Sequence, residues 1–275
     1  MIGRRLAKAP LRLVAILSSL IAAVADAAEP GQASAVPAGA IAIEAERGIE
    51  WQRNARIVIA RGNATARRGD TTLRADVLTA RYRDKPDGSV EVWRIDADGD
   101  VRVSSPERKA AGERGTYEID AGKMSLSGGN RVTVTTPGAE ITARQRIDYD
   151  IASKTLVARG DATVVEGERT LNGETITIRF AEDANGRTQP QRIEADGNMR
   201  LVTPGETITA DHGTYDIAEQ LATATGSVQI LQGANRLKGC RVEMNLRTAV
   251  SRLSACAGDG ARVRGVILPN TVKKD

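Results

Sequence analysis

The sequence predicts an all-β protein, an elongated twisted β-jelly roll of antiparallel sheets folded over on themselves. Three observations point there. Apolar and polar residues alternate with period two around recurring glycines, no stretch after Ala27 sustains a helical period, and the chain repeats itself at an offset of 98 residues.

The elements follow in order. Arg4, Arg5, Lys8 and Arg12 form a charged start, and Leu11 to Val24 is apolar but too short and Ser/Ala-rich for a membrane span. Ala25-Asp26-Ala27 then offers small residues where a signal peptidase reads, so residues 1–27 are expected to be a secretory signal peptide and 28–40 a flexible linker. From Ile41 onward the alternation takes over. Glycines recur at 62, 99, 128, 160, 197 and 226, and the residues at even offsets from them are apolar or small. Val58, Leu126 and Leu156 precede a glycine in this way; Val101, Val103, Val132, Val134, Val164, Met199, Leu201, Val228 and Ile230 follow one. This is the pattern of half-buried strands, and glycine followed by Asn, Asp or Ser marks a turn or a bulge. Further strands are expected from Glu140 to Asp150 and from Thr207 to Asp216. Longer excursions fall at Asp84–Gly88 and Glu182–Gly186, for about fourteen short strands in all.

The repeat is specific. Ile95 to Gly128 and Ile193 to Gly226 share eleven of 34 positions without a gap, and Ala60–Thr65 matches Ala158–Thr163 in the same register. The chain is expected to hold two similar halves, 41–148 and 149–268, followed by a basic tail at 269–275. Cys240 and Cys256 are the only cysteines. A hairpin centred on Thr248 would set them opposite each other, which in an exported protein favours a cross-strand disulfide over two free buried thiols.

Several chemistries are excluded or disfavoured. There is one histidine, His212, and its counterpart 98 residues earlier is Arg114, so it reads as a solvated strand residue rather than a catalytic base. No nucleophile elbow, P-loop or zinc-protease motif is present, and no cofactor is expected. The pairs Asp96/Asp98 and Glu194/Asp196 recur beside glycines and read as turn residues. Four of 39 basic and one of 35 acidic residues lie in the leader, leaving 35 against 34, too even a balance for a nucleic-acid partner. Only seven aromatic residues are available (four Tyr, two Trp, one Phe), so the interior must be small and aliphatic. Two sheets could close tightly on such residues or keep a cleft for an apolar guest.

Ile41–Glu46, Ala60–Ala66, Leu73–Val77 and the Gly-Thr-Tyr-Glu/Asp-Ile strands at 115–119 and 213–217 resemble the OstA-like, or LptA, family of lipopolysaccharide-transport proteins. The resemblance runs from about Ile41 to Val266. It implies a non-enzymatic periplasmic protein of outer-membrane biogenesis that carries lipid A acyl chains in an apolar groove. It also implies end-to-end self-association, bridging an LptC-like partner at the inner membrane to an LptD-like partner at the outer membrane. On that reading the inward set named above, with Ile41 and Ile43 from the first strand, binds lipid, and Arg102, Thr133, Thr163, Arg200 and Gln229 face water. The chain is longer than single-domain members, and its cysteine pair is not part of the resemblance. An exported polysaccharide-binding protein or a structural β-scaffold is the alternative; carbohydrate sites usually lean on exposed aromatics, which are scarce here. Mass spectrometry of the exported protein should find a mature chain beginning at Ala28; one that retains Arg4 and Arg5 would overturn the expectation of a cleaved leader.

Overall fold

The computed structural model describes residues 41–183, 188–248, 250–258 and 261–268. The expected signal peptide, the linker and the basic tail lie outside the described residues. The fold is an antiparallel β-sheet folded over on itself, with no helix among the described residues. The described residues form eighteen strands rather than fourteen: β1 Ala42–Glu44, β2 Gly48–Gln52, β3 Ile57–Arg68, β4 Thr71–Asp84, β5 Val90–Ser104, β6 Lys109–Glu118, β7 Lys123–Ser127, β8 Val132–Thr135, β9 Glu140–Ala143, β10 Arg146–Asp150, β11 Thr155–Glu166, β12 Arg169–Glu182, β13 Thr188–Val202, β14 Thr207–Asp216, β15 Leu221–Gln232, β16 Asn235–Asn245, β17 Val250–Ser254 and β18 Arg264–Val266. Many are not short, because five of the six recurring glycines do not end strands but sit inside them as bulges; Gly128 alone follows the end of a strand, β7.

The register shows how. In β3, Arg61 pairs with Val77 and Ala64 with Ala75, so Gly62-Asn63 adds one residue against β4. The same shift occurs at Gly99 in β5, Gly160 in β11, Gly197 in β13 and Gly226 in β15. Bulged and unbulged strands therefore alternate. On each unbulged strand two consecutive residues point outward opposite the bulge, as with Glu113-Arg114 between Gly112 and Gly115. The bulge line divides the sheet into two leaves. One end of β3 pairs with β2 and the other with β1; β6 divides likewise between β7 and β8, β11 between β10 and β9, and β16 between β17 and β18. The run expected from Glu140 to Asp150 is accordingly split into β9 and β10, whereas Thr207 to Asp216 is one strand.

The leaves close on each other. A Cβ placed at Gly115 would lie 3.2 Å from Val101 Cγ1 of the opposite leaf, and one at Gly213 would lie 2.8 Å from Met199 Cε. The larger core cluster runs from Val132 to Met244 and is built on Ile176, Ile178, Ile208, Val228 and Val242. A smaller one joins Ala60, Ala64, Ala75, Leu78, Ala97 and Val101, and Leu126 packs against both. Strands β3–β6 and β11–β14 match in length, and each begins 98 residues after its counterpart. β2 and β10 are related in the same way, so β10 spans the expected 148/149 boundary between the halves.

Four of the six recurring glycines are crossed by a side chain from a neighbouring strand, and Gly62 and Gly160 by Arg47 and Gln145 from the links between strands. Asp76 lies over Gly99, Glu113 over Gly128, Glu174 over Gly197 and Asp211 over Gly226, and Asp211 Oδ2 accepts the Ser227 N–H at 3.1 Å. Cys240 takes the equivalent place on β16, opposite the bulge at Gly226, and there it is bonded to Cys256. The expected register is one residue off. Arg241 pairs with Ser254 and Asn245 with Val250, which centres the hairpin between Arg247 and Thr248. Asn245 Oδ1 sets this turn by accepting both the Arg247 and Thr248 N–H groups. Cys256 thus lies past the end of β17, with its Cα 4.8 Å from that of Cys240.

At Gly160 (φ +84°) a Cβ would come within 3.0 Å of the Gln145 backbone nitrogen, whereas at the turn residue Gly69 (φ +55°) it would meet nothing within 4 Å. Gly160→Ala should therefore cost about 1–3 kcal/mol in urea denaturation, and Gly69→Ala only about 1 kcal/mol. Equal losses would show that the bulge contact is immaterial. Cys240→Ser should cost roughly 3 kcal/mol in the chain-entropy account, and peptide maps of the wild type should change on reduction.

Candidate functional site

The site builds from the N-terminal end of the sheet, where small residues meet. β3 contributes Val58, Ala60 and Ala66 at alternate positions, β4 contributes Leu78, Ala80 and Tyr82, and β5 contributes Val92 and Ile95. Ile41, Ile43, Trp51 and Ile119 complete the walls of a cavity of about 710 Å³, within the roughly 300–1,000 Å³ of sites that hold small ligands. It reaches the surface, since Trp51 is 56% and Val90 53% exposed. The lining is apolar apart from Arg68, Lys85 and Glu91, all toward solvent, and the Tyr82 hydroxyl.

Two aromatic rings shape its mouth. Trp51 Nε1–H donates to the Tyr82 hydroxyl at 2.6 Å, and the rings meet edge to face at 6.3 Å and 78°. Arg53 lies over the Trp51 ring at 5.1 Å, a cation–π contact. Beside it, Arg83 bonds both Glu91 and Asp120 at 2.7 Å, and Lys85 lies 3.3 Å from Glu91. Hydrogen bonds from Arg83 and then Lys85 hold the Glu91 carboxyl below the usual carboxylate range. These ions are exposed and contribute little to stability; they fix the charge at the opening.

The outer face of the sheet carries a different set. Arg94 bonds Asp96 at 2.8 Å and Glu118 at 3.1 Å, and Arg81 lies 3.5 Å from Asp96. In the equivalent place Arg192 bonds Glu194 at 2.7 Å, and His212 Nδ1 lies 2.5 Å from Asp196. Asp96 and Glu194 are therefore strand residues held by arginines, not turn residues; the bulge that follows them leaves their own strand position regular. Among the described residues no group of three or more His, Cys, Asp or Glu side chains is placed to hold a metal ion.

The fourteen residues expected to line a groove fall into three sets. Ile41, Ile43 and Val58 line the cavity. Val101, Val132, Leu156, Val164, Met199, Val228 and Ile230 are at most 9% exposed and packed in the cores. Val103, Leu126, Val134 and Leu201 are half-buried. Of the residues expected to face water, Arg102, Arg200 and Gln229 are exposed, while Thr133 and Thr163 are half-buried. Sequence reasoning missed Ala66, Ala80, Trp51, Tyr82, Arg68 and Lys85. The signal that could have found Ala66 and Ala80 is the comparison of residues 98 apart, where they correspond to the larger Val164 and Ile178.

Comparison with known proteins places this geometry. The family described as LptA/(LptD N-terminal domain) LPS transport protein matches residues 42–155 and 207–265, more than half of the chain. The chain belongs to this family. It is thus a β-fold protein of a lipopolysaccharide-transport family, and the interruption in the match falls on β11–β13. An uncharacterized protein of Rhizobium meliloti is 25% identical over 104 residues, spanning 36% of this chain and 56% of that relative. The chain therefore covers little more than half the length of that relative. Among solved structures, the crystal structure of LptH from Pseudomonas aeruginosa is similar at 17% identity and a TM-score of 0.41. LptH is described as the LptA-homologous periplasmic component of the lipopolysaccharide-transport device, and the similarity covers 48% of this chain and 95% of that one.

Tyr82 is 5% exposed and its hydroxyl accepts the Trp51 bond. Tyr82→Phe should lower stability by about 0.5–1.5 kcal/mol in chemical denaturation, with the fold retained, because Phe180 holds the same place against Tyr149 at 6.4 Å. A larger loss would mean that the hydroxyl organises more than the mouth.

Proposed function

We propose that this chain is an exported, periplasmic lipopolysaccharide carrier that holds lipid A acyl chains between the leaves of its sheet. The observation that carries the reading is the apolar cavity open at the N-terminal end, in a family of lipopolysaccharide-transport proteins. Burying acyl chain is worth about 0.8 kcal/mol per CH₂. An aliphatic wall offers no directional bonds, so a chain held there can still move. No covalent step is asked of the protein, and the force for transport would come from its partners.

The sheet ends support assembly. Among the described residues β2 pairs only with β3 and β17 only with β16, and both carry exposed apolar side chains: Ile49 and Trp51 at one end, Val250 at the other. Unpaired edges of this kind are templates for strand addition. We propose that copies join end to end there, with an LptC-like protein at one end of the row and an LptD-like protein at the other, forming a bridge from inner to outer membrane. The two halves of the chain are, on this reading, copies of one unit that lengthened the sheet.

Two measurements test the reading. Protein purified from the periplasm should carry acylated lipid detectable by mass spectrometry. A photo-crosslinking side chain at Ile43 or Val58 should trap lipopolysaccharide, and one at Arg102 or Arg200 should not. Folded protein that yields no adduct from inside, with its transport partners present, would favour a closed structural scaffold.

A further inference from the structure

Residues 98 apart stand at equivalent places in β1–β6 and β9–β14, so the cavity can be set beside its counterpart side chain by side chain. The aromatic pair at the mouth is kept: Trp51 and Tyr82 at 6.3 Å correspond to Tyr149 and Phe180 at 6.4 Å, in nearly the same edge-to-face arrangement. The backbone frame is therefore alike in the two halves. What fills it is not. Val58, Ala66 and Ala80 line the cavity, whereas Leu156, Val164 and Ile178 at the equivalent places are buried at 6%, 9% and 4% exposure in the larger core. Those three exchanges alone add six carbon atoms to the space between the leaves. Further along, Ala110 corresponds to Ile208, which is fully buried, and Val101 to Met199.

The charge at the opening changes as well. Arg68 and Lys85 are among the residues around the cavity, and their counterparts are Glu166 and Asp183. Cations in the first half are replaced by carboxylates in the second. At these five positions both space and charge differ between the halves, while Ile41 and Glu91 are replaced by the smaller Ala139 and the neutral Gln189.

We propose that ligand binding is confined to the first half: its cavity takes the acyl part of an amphiphile whose anionic head group is met by Arg68 and Lys85, while the second half is closed by its own side chains. The proposal rests on the acyl-carrying reading above. It makes the second half a packed end rather than a continuation of the groove. A bound acyl chain then stops near β5–β6 instead of running the length of the sheet.

The test uses a diazirine-tagged long-chain fatty acid, an anionic head on an acyl chain, with adducts mapped by peptide mass spectrometry on the full mature chain. Adducts are expected on residues 41–95 and not on 155–193. A filling variant, V58L/A66V/A80I, should lose labelling about tenfold or more and keep its cooperative unfolding transition. The reciprocal L156V/V164A/I178A should gain labelling in 155–182. R68E/K85D should weaken labelling by the fatty acid but not by the corresponding tagged alcohol, which has no charge. Equal labelling of both halves in the wild type, or labelling of the second half alone, would overturn this proposal and leave the acyl-carrying reading in place. No labelling anywhere on folded protein would overturn both. If the filling variant does not fold, the wild-type adduct map decides by itself.

Discussion

One constraint governs this protein: each long strand must belong to two leaves of a sheet that faces itself. A straight strand cannot do so while keeping one apolar face inward. The bulges at Gly62, Gly99, Gly160, Gly197 and Gly226 resolve this by adding one residue on alternate strands. The added residue bends the strand and increases its twist. It also shifts the partner strand by one place, which would turn that strand's apolar residues outward if nothing compensated. The compensation is a pair of consecutive outward residues, such as Glu113-Arg114 or Asp211-His212, lying opposite each bulge. Positive φ at Gly160 and at its follower Asp161 is the local cost of the bend.

The first residue of each outward pair then has a second use. Asp76, Glu174 and Asp211 lie across a glycine of the next strand and Glu113 across Gly128 just past the end of β7, forming a row of contacts along the fold line. At the C-terminal end the row finishes with Cys240, and the noncovalent contact becomes a bond to Cys256. The last strands, β17 of five residues and β18 of three, have little ladder of their own. A covalent tie there holds the edge that the proposed assembly would use.

Inside the fold the decisive quantity is the volume left between the leaves. Among the described residues twenty-six hydrophobic ones are buried, and most belong to the cluster that begins at Val132. The alanine-rich cluster of the first half is smaller and passes into the open cavity. A lipid-transport family built on a folded sheet can therefore be tuned by a few methyl groups at fixed places, with no change of backbone. The pairs Ala66/Val164 and Ala80/Ile178 show the scale of that tuning.

The amino-acid sequence by itself determined the alternation, the all-β class, the family, and the spacing at which bulges recur, because these depend on residues within a strand or on repetition along the chain. Val101 and Arg102 could be assigned to opposite faces from their parity alone. Whether glycine ended a strand or bent it was decided by pairing with residues of the neighbouring strands, such as Val77 and Ala75 for the bulge at Gly62, and the one-residue difference in the Cys240 register by the pairing of β16 with β17. Which inward residues pack and which border open space was decided later still. Val58 and Leu156 have the same parity and the same distance from a glycine, yet one faces a cavity and the other is buried. The difference lies in what meets them from the opposite leaf and from flanking strands. Free volume is a sum over side chains distant in sequence, and no local pattern contains that sum.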